Sequence, residues 1–268
     1  MIHYHGTPIT PEAAAAHILM RRHAMVSFAH PEQIDLVADV CQSFALDNGA
    51  FSAWRTGAPV ADWTAFYEWV EEWRQHPGFD WFLIPDVIDG SEKANDALVS
   101  GFAPSPHGVP VWHLHESLDR IERLIALGFP RIAIGSSGAF ARIGALAWWR
   151  RMAEAMAVFC DEHGRPRTKL HGLRMLAPSV FTSFPFASAD STNVARNVGL
   201  DSRWKGSYPP ATKGGRGVVL AERIEAANSA TRWSGLRFAD PLPLLFEQSF
   251  AEEITPSPSK LHYWEMPL

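Results

Sequence analysis

Three aspartates close short apolar runs in this chain. Asp47 lies at the end of SFALDN (43–48), Asp86 ends WFLIPD (81–86) and Asp190 ends FASAD (186–190). Other runs end in histidine, glycine or serine: His113 and His115 in VPVWHLH (109–115), Gly135 with Ser136 in RIAIGS (131–136), and His171 in TKLHGL (168–173). One such carboxylate would read as a helix cap or a loop ligand. An unpaired carboxylate in apolar surroundings costs several kcal/mol, so three in equivalent places point to a site. Two carboxylates across a reacting carbon are the equipment of glycosyl transfer: one attacks or steadies the anomeric carbon and the other moves protons.

Other chemistries find less support. GSSG (135–138) and KGGRG (213–217) fall short of the glycine fingerprints that cradle nucleotide phosphates, and a GxSxG nucleophile elbow is absent. The HxH pairs His3/His5 and His113/His115 put two imidazoles on one strand face, a beginning for a metal-dependent hydrolase. His3 and His5 precede the first clear strand, however, and no bridging lysine is evident. Cys41 and Cys160 stand far apart in no CxxC setting, which offers neither a disulfide framework nor a cysteine-rich zinc site. No cofactor and no metal are therefore expected.

These polar residues need a frame that brings strand ends together. The candidate strands are 24–29, 43–48, 81–86, 109–115, 131–136, 168–173 and 186–190, mostly near-continuous apolar runs of the kind found in parallel sheets covered on both faces. Between them 62–76, 117–129 and 145–164 show helical apolar spacing, with Asp62 and Ser117 as candidate N-caps and Gly164 as a candidate C-cap. Alternation of this kind means a parallel α/β fold. Seven strands, with GVVLA (217–221) or a segment near it as an eighth, suit a (β/α)8 barrel, whose active site lies at the C-terminal strand ends. The reading is one barrel over 1–240, followed by a tail, 241–268, packed on or beside it. Trp63, Trp69, Trp73, Trp148 and Trp149 fall on helices and read as packing, and Trp112 reads as core.

The chain has 268 residues, 47% hydrophobic and 20% charged, enough for a sizeable buried core. No apolar run approaches the roughly 18 residues of a membrane span, and the N-terminal stretch lacks a signal pattern, so a cytoplasmic protein with no membrane partner is expected. The net charge of -5 averages over an uneven chain. Residues 142–237 carry 15 Lys+Arg against 7 Asp+Glu, whereas 1–141 carry 8 against 17. Such asymmetry suits a surface facing a polyanion.

LDNGAFSAW (46–54), FLIPDVIDG (82–90), VWHLHES (111–117), LGFPRIAIGSS (127–137) and FASADST (186–192) together resemble, in order and spacing, the strand ends of the tRNA-guanine transglycosylase superfamily. The nearer likeness is to its DpdA-like branch, which places 7-deazaguanines in DNA. The resemblance implies Asp190 as nucleophile toward the sugar C1′ and Asp47 as general acid/base. It implies Phe51 stacking on the purine, Asp86 reading the guanine edge, His113 near the position of the family's glutamine, and Gly135 with Ser136 facing the base carbonyl; His171 is a further base contact on its strand end. The zinc subdomain of the tRNA enzymes has no counterpart here, and Ser136 and His113 depart from the tRNA pattern; both differences fit the DNA branch.

The implied reaction replaces guanine in DNA by a 7-deazaguanine such as 7-cyano-7-deazaguanine, through a covalent aspartyl-glycosyl intermediate. The target base must leave the duplex first, with help from an accessory DNA-opening protein if one is used. Arg196, Arg203, Lys205, Lys213 and Arg216, in a Gly/Pro-rich segment (193–217) after Asp190, are the candidate grip on the phosphate backbone. The alternatives are action on tRNA, a retaining nucleoside or glycoside hydrolase with water in place of the incoming base, and a non-catalytic nucleic-acid-binding barrel.

Overall fold

The computed structural model describes residues 1–58, 60–199, 204 and 208–235. The strands are β1 (Ile2–Gly6), β2 (His23–Ser27), β3 (Ser43–Asp47), β4 (Phe79–Leu83), β5 (Gly108–Val109), β6 (Val111–His113), β7 (Arg131–Gly135), β8 (Lys169–Gly172) and β9 (Ser188–Ser191). All pair in parallel, in the order β5-β4-β3-β2-β1-β9-β8-β7-β6. Only Pro110 separates β5 from β6. Proline has no N–H to give the ladder, but its carbonyl accepts from Ala133 N–H on β7 (2.9 Å) while Ile84 N–H reaches Val109 O on the other side (2.9 Å). The segment 108–113 is thus one barrel stave broken at Pro110, and the sheet closes into an eight-staved α/β barrel.

The eighth stave is not where the sequence placed it. It is β1, at the N-terminus, between β2 and β9. GVVLA (217–221) lies instead within a helix, Lys213–Glu225. Its run of small and branched residues serves helix packing: a Cβ on Gly217 would overlap Ile18, and one on Gly214 would come 3.1 Å from His17. The glycines of KGGRG thus serve close packing of this helix on the one that carries His17 and Ile18.

Around the staves stand α1 (Glu12–Leu19), α2 (Ile34–Val40), α3 (Ala50–Arg55), α4 (Thr64–Trp73), α5 (Glu92–Val99), α6 (Leu118–Ala126), α7 (Leu146–Phe159), α8 (Pro178–Phe181), α9 (Asn193–Asn197) and α10 (Lys213–Glu225). Ser117 caps α6, its Oγ accepting from Arg120 N–H. Asp62 does not cap α4 directly; its carboxylate accepts from Thr64 N–H and Oγ–H just at the helix start. α7 stops at Phe159, short of Gly164, which turns the following loop with φ 73°.

Strand side chains alternate between two cores. Ile132 and Ile134 of β7 face the helices and join the large outer core with Trp112, Trp148, Met152 and Phe159, all fully buried. Burying each such side chain stabilises by about 1.5–3 kcal/mol. Ala133 faces inward, to a smaller cluster with Tyr4, Met25, Ala45, Trp81, Leu83, Val109 and Val111. Tyr4 and Trp81 plug the barrel. Tyr4 Oη donates to Asp80 (2.6 Å), accepts from Trp81 Nε1 (3.1 Å), and is held protonated by burial and by Asp80. The barrel axis is filled, so chemistry is confined to the rim.

No helix among the described residues is long and apolar enough to cross a membrane. Burial pushes the Cys41 thiol up to about 12 and the Cys160 thiol up to about 11, so both are kept as thiols.

Candidate active site

The rim assembles from strand C-terminal ends. Asp47 closes β3, His113 closes β6, Gly135 closes β7 and Asp190 lies within β9; Asp86 follows β4 by three residues and Arg174 follows β8 by two. Five residues expected from the sequence, Asp47, Asp86, His113, His171 and Asp190, thus stand on adjoining staves at one end of the barrel, as the alternation of polar strand ends requires.

Asp47 is partly exposed at the mouth, yet protein packed around it lifts its pKa to about 6; the charges of Asp190 and Asp86 push the same way, and hydrogen bonds from Ser27 and the Gly49 N–H oppose them. The Gly49 N–H lies 3.2 Å from Oδ2. A carboxyl poised near neutrality can carry protons in both directions.

Asp190 is held differently. Its Oδ1 accepts from the backbone N–H of Arg174 at 2.9 Å and faces His171 Nε2 at 3.3 Å. A carboxylate only accepts, so Nε2 carries the hydrogen, and Nδ1 takes the Ser188 hydroxyl hydrogen at 2.8 Å. Burial lowers the His171 pKa, which keeps the ring neutral in this tautomer. His171 is fully buried, with its ring 4.8 Å from Trp81. Its place is behind Asp190, where it orients the carboxylate, and it is not a contact for a base in the mouth.

Asp86 is engaged on both oxygens: Asn48 Nδ2 donates to Oδ1 (2.7 Å) and His113 Nε2 to Oδ2 (2.7 Å). Asp86, Asn48 and His113 thus form one hydrogen-bonded unit at the rim. Gly135 is needed beside them, because a Cβ there would come 2.8 Å from His113 Nδ1. Glu116, fully buried, sets the strand end from below: its Oε2 accepts from the His113 N–H (2.8 Å) and from Arg120 Nη1 (2.7 Å), and its Oε1 from Asn95 Nδ2 (2.8 Å). Asn95 in turn holds the Val87 N–H just past Asp86 (2.8 Å).

The Ser136 side chain turns away from the mouth: its Oγ accepts from Trp148 Nε1 of α7 at 2.9 Å. Its carbonyl does face the site and accepts from Arg174 Nη2 at 2.9 Å. Phe51, half-buried on α3, carries the Arg174 guanidinium over its ring at 4.1 Å. Arg174 has φ 59°, an uncommon conformation for a residue with a side chain. That conformation lets one residue give its N–H to Asp190 and its side chain to Phe51 and Ser136.

The described residues of the basic segment lie largely on two helices. Arg196 is exposed on α9 and Lys213 is exposed at the start of α10. Arg216 is buried, and its guanidinium donates to the carbonyls of Val198 (2.7 Å), Pro210 (3.0 Å) and Ala211 (3.0 Å). It staples the α9–α10 connection and is not free to meet a phosphate. Arg203 and Lys205, like the tail from 236, lie outside the described residues.

The HxH pairs serve structure. His3 and His5 point outward from β1 to the end of α10, at Ala227 O (3.0 Å) and Glu225 Oε1 (2.8 Å). His115 ties two rim loops together through Ser137 Oγ (2.7 Å) and Gly90 O (3.1 Å). Sequence reasoning missed Arg174, Asn48 and Glu116. Asn48 stands next to Asp47 and Glu116 follows the HxH pair, but nothing in the local pattern marks Arg174. Comparison of the chain with protein families, with curated proteins and with solved structures gives no match, so the barrel and this rim are what bear on its chemistry.

Proposed function

We propose that the protein is a cytoplasmic base-exchange enzyme that replaces guanine in DNA by a 7-deazaguanine, with Asp190 as nucleophile and Asp47 as proton carrier. The observation that carries this reading is the unequal treatment of two carboxylates on one rim. Asp47 is lifted to about 6 by burial, while Asp190 is fixed by two N–H donors on a single oxygen. Separation of two carboxyl environments in this way is how one site assigns acid/base and nucleophilic roles.

In the first half-reaction an Asp190 oxygen forms a bond to C1′ as the C1′–N9 bond breaks, and protonated Asp47 gives its proton to the departing guanine. In the second, the incoming base loses its N9 proton to Asp47 and N9 attacks C1′; the C1′–oxygen bond breaks and Asp190 is restored. Two inversions give net retention, and the glycosyl-enzyme conserves the bond energy between bases. The resemblance of the ordered strand ends to the DNA-modifying branch of the transglycosylases supplies the guanine and deazaguanine assignment. The Asp86–Asn48–His113 unit offers the polar edge that would read the base.

The test is incubation with guanine-labelled DNA, and in parallel guanine-labelled tRNA, plus unlabelled 7-cyano-7-deazaguanine. Loss of label from DNA with retention of chain length is expected. Loss from tRNA alone would move the substrate to RNA. Release of guanine without appearance of the 7-cyano-7-deazaguanine in the polymer would make the enzyme a hydrolase, and no release from either polymer would overturn the reading.

A further inference from the structure

We infer that Arg174 makes the site selective for a phosphorylated nucleotide over a free base or nucleoside, by surrendering its place on Phe51 to the incoming base and taking the phosphate instead. The inference rests on the base-exchange reading and names the substrate feature that this site demands.

The guanidinium carbon lies 4.1 Å from the centre of the Phe51 ring. That is stacking distance, so no planar ligand fits between the two. Guanidinium and purine are both flat and delocalised, and either covers an aromatic face; they compete for one surface. A base that stacks on Phe51 therefore displaces a cation, which gives up its ring contact and its 2.9 Å hydrogen bond to Ser136 O. An uncharged base offers the displaced cation no countercharge. A nucleotide brings its own anion, and Arg presents the planar fork of donors that phosphate oxygens accept in pairs.

The main chain makes this exchange possible without disturbing the nucleophile. The contact to Asp190 comes from the Arg174 backbone N–H, whereas the contacts to Phe51 and Ser136 come from the side chain. Rotation about the side-chain bonds uncovers Phe51 and leaves the Asp190 hydrogen bond in place.

The test compares Arg174→Gln and Arg174→Gly with the wild type, measuring Kd for free guanine and for a guanine-containing single-stranded oligonucleotide at several salt concentrations. Glycine suits the left-handed backbone at 174 and keeps the N–H to Asp190, so it guards against loss of fold, with thermal melting as the check. For both variants the oligonucleotide is expected to bind about 10-fold or more weakly, with a salt slope lower by about one phosphate. Free guanine is expected to bind as well as to the wild type or better. Parallel weakening of both ligands, or no change in either, would overturn the role of Arg174 while wild-type exchange leaves the base-exchange reading standing. Failure of the wild type to bind or exchange any guanine-containing oligonucleotide would overturn both.

Discussion

His171 Nε2 meets Asp190 Oδ1 at 3.3 Å from a fully buried ring whose other nitrogen is occupied by Ser188 Oγ. The chain Ser188–His171–Asp190 runs from the barrel interior to the rim and fixes which carboxylate oxygen is held by protein. Replacement by phenylalanine keeps much of the ring volume and removes both hydrogen bonds. His171→Phe is expected to lower kcat roughly 10-fold with KM little changed, the mark of an interaction that acts on the reacting group. Chemical denaturation should show a loss of about 1–3 kcal/mol, because Ser188 then has a buried hydroxyl without its acceptor. Steady-state exchange kinetics alongside denaturation would check both.

Asp190→Asn removes the proposed nucleophile and leaves an isosteric side chain whose carbonyl oxygen still accepts from the Arg174 N–H. Exchange and any protein–DNA adduct stable to denaturing gel electrophoresis should vanish, with the melting temperature near that of the wild type. Residual exchange above background would remove Asp190 from the nucleophile's role.

Asp47 makes the rate depend on pH with a defined sign. In the proposed exchange guanine departs with a proton from Asp47, so kcat/KM for the DNA should fall about tenfold per pH unit above about 6. Asp47→Asn should lose that limb and be slower by roughly 10²–10⁴. Stability moves with it. The pKa is raised on folding, so the folded state binds the proton more tightly than the unfolded chain, and the stability gained at low pH is lost as pH rises from the unfolded value of 3.8 through about 6. Asp47→Asn should therefore melt higher than the wild type at pH 7.5, an advantage that disappears near pH 4. A flat difference across that window would count against the raised pKa.

Gly135→Ala tests the proposed recognition of the base by Asp86, Asn48 and His113. The added Cβ would come 2.8 Å from His113 Nδ1, and the ring whose Nε2 meets Asp86 must move away from residue 135. Overpacking of this kind costs about 1–3 kcal/mol. Guanine affinity should fall as well, measured by titration with the free base.

The basic segment divides into two kinds of arginine and lysine. Arg196→Glu with Lys213→Glu, both exposed, should weaken DNA binding and flatten its salt dependence without lowering the melting temperature. Arg216→Ala should destabilise by roughly 1–3 kcal/mol, since the buried Val198 carbonyl and the less buried carbonyls of Pro210 and Ala211 lose a charged donor. Binding isotherms at three salt concentrations with parallel melts would separate the two.

Several features were legible before any tertiary structure. The apolar runs ending in Asp47, Asp86, His113, Gly135, His171 and Asp190 gave the parallel α/β barrel and its rim, because a strand buried on both faces is apolar throughout and its polar residues collect at the ends. Trp112 was readable as core for the same reason, and Trp148 as packing of a helix against the barrel. The eighth stave was misplaced because GVVLA has strand composition, while β1 reads IHYHG, with histidines that face helix α10 and not water.

The sequence by itself determined the alternation of strand and helix, the carboxylates at strand ends and the cationic bias of residues 142–237, since each is a property of residues near one another in the chain. Tertiary structure alone decided what each group touches. Closure of the barrel brought His171 beneath Asp190 from the neighbouring stave, gave Asp86 to Asn48 and His113, turned Arg216 inward, and laid Arg174 across Phe51, 123 positions away in the chain. Hydrogen bonds and ring contacts act over a few ångströms of space, and spacing along the sequence carries no record of them.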